Sequence, residues 1–215
     1  MTGERVRDGA VRDAIVELGA SFFRRGLTFG RTGNLSALDE DGVILMTPTG
    51  VSLEQLEPEA LSRVGLDGRH LGGPPPTKEA FLHLAIYRAR PSARAVVHTH
   101  STHTAAVSCL RDVDRSNALP VLTAYYAMRV GSLPLLPYHA PGDHRLGALA
   151  ELAAARHHAL LLANHGAIVA GANLASAADA LEEIEETAKL YLLLQGHAVA
   201  PVTADESQRL QGVFR

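Results

Sequence analysis

Apolar side chains at Val11, Ile15, Leu18 and Phe22 recur at the spacing of one helical face, and Gly26 stands where such a helix would stop. The period then changes. Residues 34–38 and 43–46 are short apolar runs joined by Asp39-Glu40-Asp41-Gly42, the residue types of a hairpin turn, and 61–66, closed by Asp67-Gly68, predicts a third strand. The rigid stretch Gly72-Gly73-Pro74-Pro75-Pro76 leads to Thr77, whose hydroxyl can cap a helix running to about Ala89 with Leu82, Ala85, Ile86 and Ala89 on its buried stripe. Ala95-Val96-Val97 predicts a buried strand delivering His98, Thr99 and His100, with a helix over 102–110 behind it. Residues 111–128 show no period and predict irregular chain. Strands follow at 133–136 and 159–163, separated by a helix over about 143–155; Asn164-His165-Gly166 interrupts the second, and 167–170 resumes it. Leu174, Ala178, Leu181, Ala188 and Leu192 mark a long last helix that ends at Gly196.

Helices thus alternate with a mixed, largely antiparallel set of strands, which predicts an α/β protein. No linker, repeat or low-complexity tract divides it, so 1–215 is read as a single domain. A chain of 215 residues with 47% hydrophobic content can bury one sizeable core. The net charge of -3 supplies neither a basic stripe for a phosphate backbone nor a polybasic anchor, which argues against nucleic acid and membrane as partners. No apolar run approaches membrane-spanning length, and the first residues lack the apolar core of a signal peptide, so the expected location is the cytoplasm. The single cysteine, Cys109, sits in a stretch that reads as the buried side of a helix, where it would be a small core residue.

Residues two apart in a strand point to the same face, so His98 and His100 can turn both imidazoles toward one point. With eleven histidines in the chain, about half such a pair is expected by chance, so the spacing carries little alone. Context adds weight. A third histidine, His165, also ends a strand, and Glu79 opens a helix, where the dipole favours a carboxylate. Three imidazoles and a carboxylate make a tetrahedral set for zinc, and an open site if the carboxylate leaves. The competing reading is unconnected surface or core histidines. His103 is expected to face away from the pair, and His83, His139, His144, His157 and His158 are assigned to surfaces or ordinary hydrogen bonds.

Thr32-Gly33-Asn34-Leu35-Ser36, Met46-Thr47-Pro48-Thr49-Gly50, Val97-His98-Thr99-His100-Ser101 and Asn164-His165-Gly166 together resemble the class II aldolase and adducin family, in that order and at suitable spacing, over about 11–195. The resemblance implies a three-layer α/β/α fold around a mainly antiparallel central sheet, a homotetramer with active sites between subunits, and one Zn2+ per chain, another divalent metal being an alternative. It matches His98, His100 and His165 to the metal ligands and Glu79 to an acid/base that can also ligate. Gly33 and Asn34 match one phosphate-binding segment, Thr49 and Gly50 a second; glycine lets backbone amides approach phosphate closely. Where the family's sugar-phosphate aldolases carry Ser-Ser-Glu, this chain has Thr77-Lys78-Glu79. Thr77 keeps a hydroxyl for phosphate, whereas Lys78 introduces a cation that could answer a second substrate anion, a carboxylate being the obvious candidate.

Pro76-Thr77-Lys78-Glu79, residues 98–103 and residues 125–131 resemble most closely one branch, the 3-oxo-tetronate 4-phosphate decarboxylases. The chemistry implied is zinc-dependent loss of carbon dioxide from a phosphorylated oxo-acid through a metal-stabilised enediolate, then protonation to dihydroxyacetone phosphate. Tyr125 is the nearest match to a tyrosine the family places near the leaving group, with Tyr126 as the alternative. The rival readings are a class II aldolase or pentulose-phosphate 4-epimerase acting on a hydroxy-ketone phosphate, and an adducin-like interaction domain, which would be expected to have lost the ligands this chain keeps. Gly30-Arg31-Thr32-Gly33-Asn34 is not a dinucleotide fingerprint.

Overall fold

The structure, a computed structural model, describes residues 2–140 and 142–213. Helix α1 (Thr2–Arg24) ends as its glycine predicts. Gly26 adopts φ +75°, its N–H donates to Phe23 O at 3.1 Å and that of Leu27 to Phe22 O at 2.9 Å, answering the last carbonyls. Strands β1 (Asn34–Leu38) and β2 (Ile44–Met46) form the expected hairpin. Its turn is held by the Asp39 carboxylate, which accepts from the N–H groups of Asp41 and Val43 at 2.9 and 2.8 Å.

Strand β3 (Ser62–Val64) is shorter than the run at 61–66 because the next turn begins at Gly65, whose carbonyl accepts from Gly68 N–H at 2.8 Å. That turn leads to β4 (His70–Gly72), which no alternation announced. Helix α2 (Ala80–Ala89) starts later than a cap at Thr77 predicts. The Thr77 hydroxyl accepts from Glu79 N–H at 3.3 Å and the Thr77 carbonyl from Ala80 N–H at 3.1 Å, so Thr77 closes a turn in front of the helix and Glu79 takes the cap position.

Strand β5 (Ala95–Thr99) and helix α3 (Thr102–Ser108) follow as expected, α3 two residues short. Cys109 caps α3 and is exposed, which corrects its reading as a core residue. Helix α4 (Ala124–Arg129) lies largely within the stretch expected to be irregular. Six residues hold too few turns to show a period; the Thr123 hydroxyl starts the helix by accepting from Tyr126 N–H at 3.0 Å. The remaining elements are β6 (Leu135–Leu136), α5 (Arg145–Ala154), β7 (Ala159–Leu162), β8 (Ala167–Gly171), α6 (Leu174–Leu193) and α7 (Ala204–Val213). An Asn173–Ser176 capping box opens α6.

The eight strands form one sheet in the order β4-β3-β2-β1-β5-β8-β7-β6, antiparallel throughout except for the parallel β6–β7 pair. Alternation along the strands builds two cores. Leu35, Ala37, Ala95, Val97, Leu161 and Val169 pack with Ile15, Val107, Tyr126 and Leu181, the layer of α1, α3, α4 and α6. Ile44, Met46, Val96, Leu160 and Ile168 pack on the other face with Leu82, Ile86, Leu146 and Ala150 from α2 and α5. This is the three-layer α/β/α arrangement with a mainly antiparallel sheet that the family resemblance implies. Among the described residues no helix is long and apolar enough to cross a membrane.

Candidate metal centre and active site

The alternation that turns Val96 toward α2 carries two residues further to His98, at the end of β5, with Asn34 of β1 directly opposite in the register. His98 is wholly buried. Its Nδ1–H donates to Ala167 O at 2.8 Å, which fixes the tautomer and leaves the Nε2 lone pair facing outward from the sheet end. His100, just past the strand, brings its Nε2 to 3.1 Å from that of His98.

His165 arrives from the turn between β7 and β8. Asn164 there takes φ +56°, and Ser108 at the end of α3 anchors the turn, its carbonyl accepting from Asn164 N–H and its hydroxyl from His165 N–H, both at 3.2 Å. Gly166 is required by contact. A Cβ at this position would lie 2.1 Å from Thr99 O and 3.1 Å from His100 Cα, so only glycine lets the turn rest against the end of β5. His165 Nε2 is thereby set 3.0 Å from His100 Nε2 and 3.4 Å from His98 Nε2.

Glu79 closes the group from the N-cap of α2. Its Oε1 lies 3.0 Å from His165 Nε2 and its Oε2 3.3 Å from His98 Nε2, while the Asn34 amide donates to Oε2 at 2.7 Å. One ligand atom from each of Glu79, His98, His100 and His165 lies within 4.8 Å of all the others. A tetrahedral ion with metal–nitrogen bonds of about 2.0–2.1 Å holds its nitrogens about 3.3–3.4 Å apart, close to the spacing found here. The donor chemistry also fits: three imidazole nitrogens converge with no hydrogen between them required, and one carboxylate supplies charge.

Electrostatics point the same way. Burial is the main cause holding His98 well below the ordinary imidazole range, and burial, then the neighbouring His98 and His165, push His100 down to about 3. Burial would raise the Glu79 carboxyl, but His98, then His165 and the Asn34 amide, outweigh it and hold the carboxyl well below its usual range. Burial thus works against charge on His98 and His100 beside a carboxylate that favours its ionised form, an arrangement that suits a cation.

Around this group lie the segments singled out for phosphate. Gly33 takes φ +79°, and a Cβ there would come within 3.0 Å of His98 O. The Thr49–Gly50 loop is tied to the approach to α2 by Thr49 N–H donating to Pro75 O at 3.0 Å and Thr77 N–H to Thr47 O at 3.1 Å. Thr49 and Gly50 are exposed, Thr77 is buried, and Lys78 is exposed on the turn before α2. Asn34 is brought to Glu79 itself. Tyr125 is not brought to the group: it lies exposed on α4, on the other side of the sheet, with the Arg129 guanidinium 5.3 Å from its ring centre. Tyr126 is buried and its hydroxyl has no hydrogen-bond partner among the described residues.

One residue that sequence reasoning assigned to an ordinary role belongs to the site. His83 is fully buried, with Nε2 2.5 Å from Asn34 Oδ1 and Nδ1 2.7 Å from Ser36 Oγ, which lies 2.9 Å from the Tyr87 hydroxyl. The signal was present. Glu79, His83 and Tyr87 stand four apart along α2, Asn34 and Ser36 two apart on β1, and four residues of helix rise about 6 Å while two of strand rise about 6.8 Å. A polar stripe on each element therefore meshes as rungs. Three other histidines meet partners outside this group: His103 meets Glu185 at 2.8 Å, His139 meets Asp143 at 3.0 Å, and His157 meets Ser132 at 2.9 Å.

The sequence matches the family described as Class II Aldolase and Adducin N-terminal domain over residues 13–192. It is 49% identical over 199 residues to a 3-oxo-tetronate 4-phosphate decarboxylase of Pectobacterium atrosepticum, covering 93% of this chain and 91% of that protein. It is 36% identical over 194 residues to an L-fuculose phosphate aldolase of Escherichia coli, covering 89% and 87%. Among solved structures, YgbL from Escherichia coli superposes with a TM-score of 0.93 at 44% identity, covering 95% of this chain and 99% of that one.

Proposed function

The chain belongs to the class II aldolase and adducin family and is a lyase, and from that premise we propose that it decarboxylates a 3-oxo-tetronate 4-phosphate to dihydroxyacetone phosphate and carbon dioxide. The observation that carries this reading is the convergence of Glu79, His98, His100 and His165 beside a turn that bears Lys78. Of divalent ions, zinc suits three imidazoles and a carboxylate. When bound by these residues it would withdraw electron density from the substrate ketone.

The rest falls to the chain. Gly33, Thr49, Gly50 and Thr77 hold the phosphate through backbone amides and hydroxyls, and Lys78 pairs with the carboxylate. Breaking the bond to the carboxylate releases carbon dioxide and leaves the electron pair on the three-carbon fragment as an enediolate. One proton, carried by Glu79, then goes to the carbon that bore the carboxylate. The exposed Tyr125 is read as serving a neighbouring subunit's site in a homotetramer, as the family resemblance implies, and the cytoplasm as the place of work.

An aldolase reading shares every step but the leaving group, and the 36% identity to a fuculose phosphate aldolase keeps it as the rival. A coupled assay for dihydroxyacetone phosphate and carbon dioxide on a panel of oxo-acid phosphates decides between them. Carbon dioxide and dihydroxyacetone phosphate in equal amounts is the expected result. Cleavage of a sugar phosphate to an aldehyde, with no carbon dioxide from any oxo-acid, would overturn the decarboxylase assignment.

A further inference from the structure

We infer that His83 is a positioning residue: with Ser36 and Tyr87 behind it, its ring fixes which way the Asn34 amide points and so holds the Glu79 carboxylate in place. The inference rests on the reading of Glu79 as the proton carrier. It also revises Asn34, which the geometry assigns to Glu79 before any phosphate.

The direction of the string follows from one end. The Asn34 amide N–H donates to Glu79 Oε2 at 2.7 Å, a carboxylate that ligates a cation being an acceptor only. The Asn34 carbonyl oxygen is then turned to His83, 2.5 Å away, and must be met by a donor, which places a proton on His83 Nε2. Burial pushes His83 down to about 3, so the ring is neutral and its Nδ1 is an acceptor, taking the Ser36 O–H at 2.7 Å. Ser36 Oγ in turn accepts from the Tyr87 hydroxyl at 2.9 Å, and burial keeps that phenol protonated by raising it. Every donor in the string points toward the carboxylate.

Each member is enclosed. His83 and Ser36 are wholly buried, Asn34 and Tyr87 nearly so. A flipped Asn34 would set its carbonyl against the Glu79 oxygen and its N–H against a ring nitrogen already carrying hydrogen, losing two bonds at a nearly fully buried amide. The ring therefore holds the amide, from its far side, in the one orientation the carboxylate requires. Its action on the reacting end is indirect, through Asn34, in the manner of the outer partners that orient metal-site ligands.

The test has two arms, the first independent of any reaction. In protein labelled at the histidine nitrogens and loaded with zinc, His83 is expected as the Nε2–H tautomer, and one Asn34 side-chain N–H should show the low-field shift of a bond to a carboxylate. An Nδ1–H or doubly protonated His83 would overturn the inference. The second arm is kinetic. His83→Phe should lower kcat about tenfold to a hundredfold with KM and zinc content changed by less than about threefold, and abolish the Asn34 shift. His83→Gln should restore most of kcat, because its amide donates where Nε2 does and its carbonyl accepts where Nδ1 does. An unchanged kcat in His83→Phe, or a Gln variant no better than Phe, sinks the proposal. If Phe fails to fold, the parent's tautomer and the Gln variant still decide. If the parent cleaves an aldol substrate instead of the oxo-acid, the decarboxylase reading fails alone, and the His83 variants are compared on the substrate that is turned over.

Discussion

A half-buried carboxylate, Glu79, and a buried one, Glu185, flank the segment from His98 to Thr104, one on each face of the sheet, and the protein treats them differently. Glu185, on α6, has a side chain 8% exposed and receives a complete set of donors from the start of α3. These are the N–H of His103 at 3.0 Å, its Nδ1 at 2.8 Å, the N–H of Thr104 at 2.8 Å and the Thr104 hydroxyl at 2.6 Å. Burial opposes its ionisation, yet the Thr104 hydroxyl and the two amides prevail and lower it. Glu79, 15% exposed, has one amide donor and otherwise faces the imidazole nitrogens of His98 and His165. A buried charge whose lone pairs the chain itself answers is a structural cap. One set against other acceptors is waiting for a cation.

The largest effects should come from collapsing the open side of this comparison. Alanine at His98, His100 or His165 is expected to remove the metal, measured as ions per chain, while the circular-dichroism spectrum stays that of the parent. Full metal content in all three variants would break the assignment. Glu79→Gln should leave substantial metal binding, since three imidazoles remain, and lower kcat by about 10²–10⁴-fold or beyond detection. Turnover near that of the parent would move the proton carrier elsewhere.

Glu185→Gln probes the closed side and should read out in stability. The amide cannot accept from all four donors, and replacing a charged partner of buried N–H groups costs about 2–4 kcal/mol. Urea titration should show that loss, with metal content at 25 °C near the parent's. A variant of unchanged stability but lost turnover would mean that both carboxylates serve the reaction and that the contrast between them is false.

Acid separates the two sides next. His83 and His100 are pushed down to about 3 in the folded protein, below the ordinary value of 6.5. Between those values the unfolded chain binds more protons than the folded one, so stability rises with pH there. It is fully present above 6.5 and is lost as the pH falls. Each ring contributes a slope of up to about 1.4 kcal/mol per pH unit. Glu79 and Glu185, both lowered from 4.5, act only below that value, their stabilisation being lost on further acidification. In chelated protein, His83→Gln should therefore flatten the slope between pH 6.5 and 4.5, and Glu185→Gln should alter it only below 4.5. A parent whose stability is flat from pH 6.5 to 4.5 would contradict the buried neutral rings.

What the sequence conveyed and what it withheld follow from range. Gly26, the Asp39–Gly42 turn and the alternation at 95–97 act over a few residues, and the structure has α1, the hairpin and β5 where they indicate. Glu79, His98, His100 and His165, which the structure brings together, were legible because each sits at or beside a strand or helix end within a motif. Helix α4 and strand β4 are too short for a period, and β3 lost its second half to a turn that its own glycine begins. Cys109 was misread because the apolar run before it gave no sign that the helix stops at Ser108. His83 was missed for another reason: its partners Asn34 and Ser36 lie nearly fifty residues away, and the match between a stripe on α2 and one on β1 appears only when the two rises are compared.

The smallest effect expected, and the one that bears on substrate, concerns Lys78, exposed on the turn immediately before Glu79. If it pairs with the carboxylate that leaves, that charge-assisted contact is worth roughly 1.5–3 kcal/mol, so Lys78→Ser should lower kcat/KM on the oxo-acid about tenfold or more. A contact that strengthens as charge redistributes during bond breaking appears in kcat; one that serves binding uniformly appears in KM. The same change should spare any weak aldol cleavage of a substrate without a carboxylate, and can raise it by placing the serine that the family's aldolases carry at this position. Because both reactions draw on Glu79 and the three histidines, damage to that group moves the two rates together, whereas loss of a carboxylate contact moves their ratio. An unchanged ratio would make Lys78 a solvated residue of the turn, and the choice of carbon dioxide over an aldehyde as leaving group would then rest on relatives alone.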